Sequence, residues 1–177
     1  MKNSNKNLDI EISKIEKALY ELKSSRLNNF KKICDSSINA IKKGKKIIFF
    51  GNGGSASDAQ HLSTEITVRY KKNRKALPAI SLATDTSALT AIGNDINFNS
   101  IFSRQIEAIG KKGDIAIAIT TSGNSKNLIE AIKTANKLGL LTFCFAGNQG
   151  GKLKKFVKYP IIIPSKETSV TQVLEIM

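Results

Sequence analysis

His61 is the single histidine of the chain, and it stands four residues before Glu65 in a helix-forming stretch. That spacing puts an imidazole and a carboxylate side by side on one helix face, close enough to share a metal ion or a proton. On spacing alone, metal ligation, acid–base work and a plain surface pair all stay open. Two ligands do not complete a zinc site, which draws at least three from protein. Just upstream, Gly51-Asn52-Gly53-Gly54-Ser55 follows the apolar run Ile47-Ile48-Phe49-Phe50. The order of strand, glycine loop and helix gathers loop N–H groups and a positive helix end at one point, which suits phosphate. The loop is neither GxGxxG nor a P-loop ending in GK[ST], so dinucleotide and nucleotide readings are weak. A second loop, Thr120-Thr121-Ser122-Gly123-Asn124-Ser125, follows another apolar run. Ser122 and Ser125 flank Gly123-Asn124 and can grip the same phosphate, while Ser125 also reads as the N-cap of the next helix.

The elements that must hold these residues follow from periodicity. Two amphipathic helices are expected first, one over about 8–24 with Ile12, Ile15, Leu19 and Leu22 on one stripe, one from about 27 until Gly44. They need cover for their apolar faces, either from the domain itself or from a partner subunit. From Lys45, strands are expected over 47–50, 79–82, 114–119, 141–145 and 161–163. Helices fall between them over about 56–70, 84–92, 99–109 and 126–138, and a last one starts at Thr168. This alternation predicts an α/β fold, a five-stranded parallel sheet flanked by helices, with ligands bound beyond the carboxyl ends of the strands.

At 177 residues the chain fits one domain. No apolar run approaches the roughly 20 residues of a membrane helix, and the first residues lack the apolar core of a secretory signal, so a cytoplasmic protein is expected. A formal charge of +14 raises nucleic acid as a partner, but it rests on 24 lysines and only four arginines, Arg26, Arg69, Arg74 and Arg104. The lysines fall in scattered pairs with no interleaved aromatic residues, which speaks for a solvated surface rather than a nucleic-acid face. Cys34 and Cys144 belong to no CxxC pair and read as buried free thiols.

The segments GNGGSASDAQHLSTE, ALPAISLATDTSALTAIGND, IFSRQIEAIG and ITTSGNSKN, in that order, resemble the phosphoheptose isomerase (sedoheptulose 7-phosphate isomerase) family, a branch of the sugar-isomerase (SIS) fold. The likeness runs from Gly44 to Gln172. It implies a flavodoxin-like three-layer sandwich, with 1–44 as an N-terminal helical hairpin serving oligomerisation and 45–177 as the SIS domain. It also implies a homotetramer with active sites at subunit interfaces and one zinc ion in each. The implied reaction converts D-sedoheptulose 7-phosphate to D-glycero-D-manno-heptose 7-phosphate through an enediol, for lipopolysaccharide, capsule or another surface glycan.

Carried over by position, the resemblance assigns substrate contacts to Asn52, Gly53, Gly54, Ser55, Asn94, Asp95, Thr120, Thr121, Ser122, Ser125, Glu65 and Gln172. His61, Glu65 and Gln172 match zinc ligands, and Glu65 also matches the catalytic base. The family usually has serine where this chain has Thr120, which still offers a hydroxyl. It also has a histidine three residues after the match to Gln172 and another eight after it, the second a zinc ligand and acid. Glu175 stands at the first position, and the sequence reaches Met177 before the second, so the C-terminal helix reads as truncated. Two other readings are a catalytically silent SIS protein that binds a partner such as the replication initiator, and an isomerase of another sugar phosphate.

Overall fold

The computed structural model describes residues 2–25 and 27–176. Met1, Arg26 and Met177, which fall in the expected helical hairpin and C-terminal helix, lie outside the described residues. Two helices, α1 (Lys2–Ser25) and α2 (Leu27–Lys42), precede β1 (Ile47–Gly51). Then follow α3 (Gly54–Thr67), β2 (Ala79–Ser81), α4 (Thr86–Asp95), α5 (Ser103–Ile109), β3 (Ile115–Thr120) and α6 (Lys126–Lys137). The chain continues through β4 (Leu141–Ala146) and β5 (Tyr159–Ile162) to α7 (Thr168–Glu175).

All five strands are parallel, in the order β2-β1-β3-β4-β5. β1 and β3 are buried along their whole length, as strands covered on both faces must be. Alternate side chains divide the core in two. Ile48, Phe50, Ala116, Ala118 and Cys144 pack with Phe102, Ile106, Leu128 and Ile132 of the α5–α6 side. Ile47, Phe49, Ile115, Ile117 and Phe143 pack with Ile33 and Ala40 of α2 and Ala59 of α3. The three-layer arrangement expected from the alternating pattern is therefore present.

The N-terminal helices pack on the domain by different routes. Ala18 of α1 joins Ile163, Val170 and Leu174 beside α7, whereas α2 lies on the sheet. Both keep large apolar side chains in solvent, including Leu8, Ile12, Tyr20, Phe30 and Ile38. Cys34, expected to be buried, is exposed, because α2 turns Ile33 and Ala40 toward the sheet and leaves its neighbour outside; Cys144 is buried as expected, and both thiols are free.

The chain order explains where a ligand belongs. β2 lies on one side of β1 and β3 on the other, so the connections leaving β1 and β3 diverge and open a crevice between them at the carboxyl edge. Gly51 pairs in register with Ile119, which brings the two loops that follow these strands out side by side. At the opposite edge Asp114 is buried and ties the strand starts together. It accepts from Lys46 Nζ at 2.6 Å and from the backbone N–H groups of Lys46 at 3.1 Å and Lys111 at 2.8 Å.

Candidate active site

The β1 loop runs straight into α3, which starts at Gly54, two residues before the sequence predicts. Gly53 is the N-cap residue, with φ of 54°, and no side chain caps the helix. On the neighbouring strand, α6 begins after Ser125, again with no capping bond from its side chain. Ser125 thus holds the N-cap position but makes no cap. The contrast is α4, where Asp85 accepts from the Ala88 N–H. The first N–H groups of a helix have no intrahelical i−4 partner. The Ala56 N–H turns to the Gly53 carbonyl and the Leu128 N–H to Asn127 Oδ1, so among the described residues the donors left at the crevice are those of Gly54 and Ser55 on α3 and of Lys126 and Asn127 on α6. Phosphate is the small anion that such a pair of helix ends fits.

The hydroxyls divide between holding the loops and facing outward. Thr120 Oγ1 accepts from the Gly123 N–H and Ser122 Oγ from the Asn124 N–H, both at 3.2 Å, which shapes the turn. Thr121 and Ser125 are half-buried. Asn52 forms two amide hydrogen bonds with Asn127 of α6. Asn94 and Asp95 lie in the exposed last turn of α4, where the Asn94 amide donates to Asp95 at 2.8 Å. Among the described residues they make no side-chain hydrogen bond to either loop, although Asn97 and Ser100 just beyond line a hollow with Lys126 at the start of α6.

His61 and Glu65 meet as their spacing predicts, with Nε2 and Oε1 3.8 Å apart; the imidazole is exposed and the carboxylate partly so. Gln172 comes to the same helix from α7. Its amide rests on the Cα of Gly54, where any added methyl group would overlap it. An imidazole, a carboxylate and an amide oxygen are ligand types zinc accepts, and three protein ligands leave the open position of a catalytic ion. The donor set therefore fits zinc in kind. Among the described residues no three His, Cys, Asp or Glu side chains are placed to hold one metal ion, so the assembled part is the His61–Glu65 pair.

Asp58 is not among the expected site residues, although Asp58, His61 and Glu65 recur at steps of three and four and so share a helix face. Its partner is Glu175 of α7. Glu175 is 4% exposed and accepts the Ser55 hydroxyl at 2.9 Å, while its other oxygen and Asp58 Oδ2 are buried without a donor. Two ionised carboxylates have nothing to donate to each other; one proton between them satisfies both. Burial pushes the Glu175 carboxyl up to about 8, with the Ser55 hydroxyl opposing and Asp58 adding to the rise. Burial raises Asp58 as well. Beyond Glu175 lies a hollow of about 580 Å³ walled by Leu19, Leu62, Phe145 and Leu174, too apolar for a sugar phosphate.

A pH dependence follows. A carboxyl protonated in the fold but ordinarily ionised above 4.5 stabilises the protein fully below that pH, and the contribution fades as pH rises through about 8. Within that window each pH unit costs up to about 1.4 kcal/mol. Thermal melting from pH 5 to 8.5 is expected to show a falling midpoint that Glu175→Gln flattens, since the amide accepts from Ser55 and donates to Asp58 without titrating. Equal slopes in both proteins would refute the shared proton.

Residues 12–147 match the SIS domain family. A phosphoheptose isomerase of Aquifex aeolicus is 54% identical over 133 residues, 75% of this chain and 70% of the relative. One from Paramagnetospirillum magneticum is 45% identical over 170 residues, 96% of this chain and 88% of the relative. The solved phosphoheptose isomerase of Neisseria gonorrhoeae superimposes with a TM-score of 0.90 at 34% identity, covering 97% of this chain and 92% of that one. The enzyme of Francisella tularensis does so with a TM-score of 0.94 at 27% identity, covering 98% and 92%.

Proposed function

Because the chain belongs to the phosphoheptose isomerase family of SIS-domain proteins, we propose that its crevice isomerises D-sedoheptulose 7-phosphate to D-glycero-D-manno-heptose 7-phosphate. The protein is a sugar-phosphate isomerase acting in heptose biosynthesis. The observation that carries the reading onto these residues is the pair of uncapped helix ends, α3 and α6, opening beside each other with a carboxylate three turns along α3.

The phosphate sits against the N–H groups that open these helices, with Gly53, Gly54 and Ser55 on one side and Thr121, Ser122 and Ser125 on the other. Asn52 and Thr120 keep the loops in shape, and Asn94, Asp95 and Gln172 contact the sugar. With one end anchored, the carbonyl end of the ketose reaches Glu65. The Glu65 carboxylate takes a proton from C1, the carbon beside the C2 carbonyl, and O2 gains a proton, giving an enediol. O1 then loses its proton as Glu65 returns one to C2, leaving an aldehyde at C1 and a hydroxyl at C2. Zinc, held by His61, Glu65 and Gln172, supplies Lewis acidity toward the substrate oxygens when bound. The exposed apolar side chains of α1 and α2 support a homotetramer with active sites near subunit interfaces. The product feeds a surface glycan such as lipopolysaccharide, and the cytoplasm is where sugar phosphates are met.

The test compares sedoheptulose 7-phosphate with unphosphorylated sedoheptulose, following aldose formation. The phosphate ester alone is expected to turn over at a measurable rate. Equal turnover of both sugars would refute anchoring at the helix ends.

A further inference from the structure

Asn52 and Asn127 meet across the gap between the two loops. Asn52 Nδ2 donates to Asn127 Oδ1 at 3.0 Å, and Asn127 Nδ2 donates to Asn52 Oδ1 at 2.8 Å. A third bond gives the pair a direction, since the Leu128 N–H donates to the same Asn127 oxygen at 3.0 Å. A backbone N–H can only donate, so the α6 backbone decides which end of Asn127 is the oxygen, and Asn127 decides the same for Asn52. An amide nitrogen carries two hydrogens, so Asn52 keeps one N–H for the crevice with its direction already set. Asn127 is 2% exposed and does not itself meet a ligand; Asn52 is half-buried beside the crevice.

We propose that Asn127 is a positioning residue of the anion site. It orients the Asn52 amide and locks the β1 loop to the first turn of α6, so the two loops offer their donors to one phosphate as a unit. The inference rests on the reading of these loops as the phosphate-binding parts. A neutral amide suits the task because it links the loops without placing a negative charge beside the anion. An aspartate of the same size would keep both acceptor bonds but set a carboxylate against Asn52 Oδ1, turning the Asn52 amide over or breaking the link.

The test measures the Kd for inorganic phosphate, with KM and kcat for the heptulose phosphate, on the full chain. The proteins are wild type, Asn52→Ala, Asn127→Ala, the double variant and Asn127→Asp. One oriented hydrogen bond corresponds to about a tenfold change in affinity. Asn127→Ala and Asn52→Ala are each expected to weaken phosphate by about this factor and to raise KM more than they lower kcat. The double variant is expected to match the singles, because Asn127 acts through Asn52. Phosphate affinity unchanged in Asn127→Ala overturns the proposal, as do single effects that multiply to about a hundredfold in the double variant. Should Asn127→Ala not fold, Asn127→Asp decides in its place, and affinity equal to wild type overturns the proposal. A wild-type chain that binds phosphate but leaves the heptulose phosphate unchanged overturns the isomerase reading alone, and the phosphate affinities still decide the role of Asn127.

Discussion

Glu65→Gln is expected to lower kcat on sedoheptulose 7-phosphate by roughly two to four orders of magnitude, the usual worth of a positioned general base. The amide matches the carboxylate in size but cannot accept a proton from carbon. Little else should change, because the Glu65 side chain is 33% exposed and its close side-chain contact is the His61 imidazole at 3.8 Å. Substitutions at such sites shift stability by about 0.5 kcal/mol or less. Inorganic phosphate should bind as in wild type, since the helix ends that hold it are two and more turns away. His61→Ala separates the two roles of the pair by removing the imidazole and keeping the carboxylate. Its zinc content should fall while a residual rate above that of Glu65→Gln persists. A Glu65→Gln enzyme within tenfold of the wild-type kcat would remove Glu65 from the chemistry.

Gly123→Ala is the second large effect, and it acts on the loop rather than on the base. Gly123 has φ of 65°, and an added Cβ would collide with the Gly150 carbonyl oxygen and fall 2.7 Å from the Gly151 nitrogen. These are backbone atoms, so no side chain can swing aside. Left-handed backbone costs a non-glycine residue about 1–2 kcal/mol, and forcing apart a packed contact adds roughly 1–3 kcal/mol. In a chain of this size the sum lowers the melting midpoint by on the order of 10 °C. The relief available is separation of the second loop from the turn after β4, which spoils the α6 helix end. Thermal melting and the phosphate Kd should therefore worsen together. A midpoint and Kd both equal to wild type would show that the close approach is not needed.

The strands were legible because burial on both faces leaves nearly continuous apolar runs such as Ile115–Thr120, and glycine and hydroxyl loops follow two of them. The His61–Glu65 contact was legible because helical spacing alone creates it. Helix edges were less so. Gly54 reads as loop yet opens α3, since the same lack of side chain that suits a turn also admits the Gln172 amide onto the helix start. The stretch expected as one helix over 99–109 is a short 3-10 turn at Phe98–Ser100 followed by α5, with Ile101 and Phe102 buried between them. The bonds that give the site its shape left no local trace. Ser55 finds Glu175 across 120 residues and Asn52 finds Asn127 across 75, and no spacing rule reaches that far. Asp58 alone had a local signal, its spacing on the face of His61 and Glu65, and it is absent from the expected site residues.

In the proposed reaction a phosphate-anchored ketose loses a carbon-bound proton to Glu65 and regains one at the neighbouring carbon. Isomerisation of sedoheptulose 7-phosphate in D2O, followed by proton NMR, tests it directly. Deuterium is expected at C2 of the aldose product and, on longer incubation, at C1 of the recovered ketose, with neither signal in Glu65→Gln. Deuterium incorporation that survives in Glu65→Gln would contradict it, as would conversion that carries no deuterium into product or substrate even after many cycles through equilibrium, because a partly exposed carboxylate exchanges its proton with solvent.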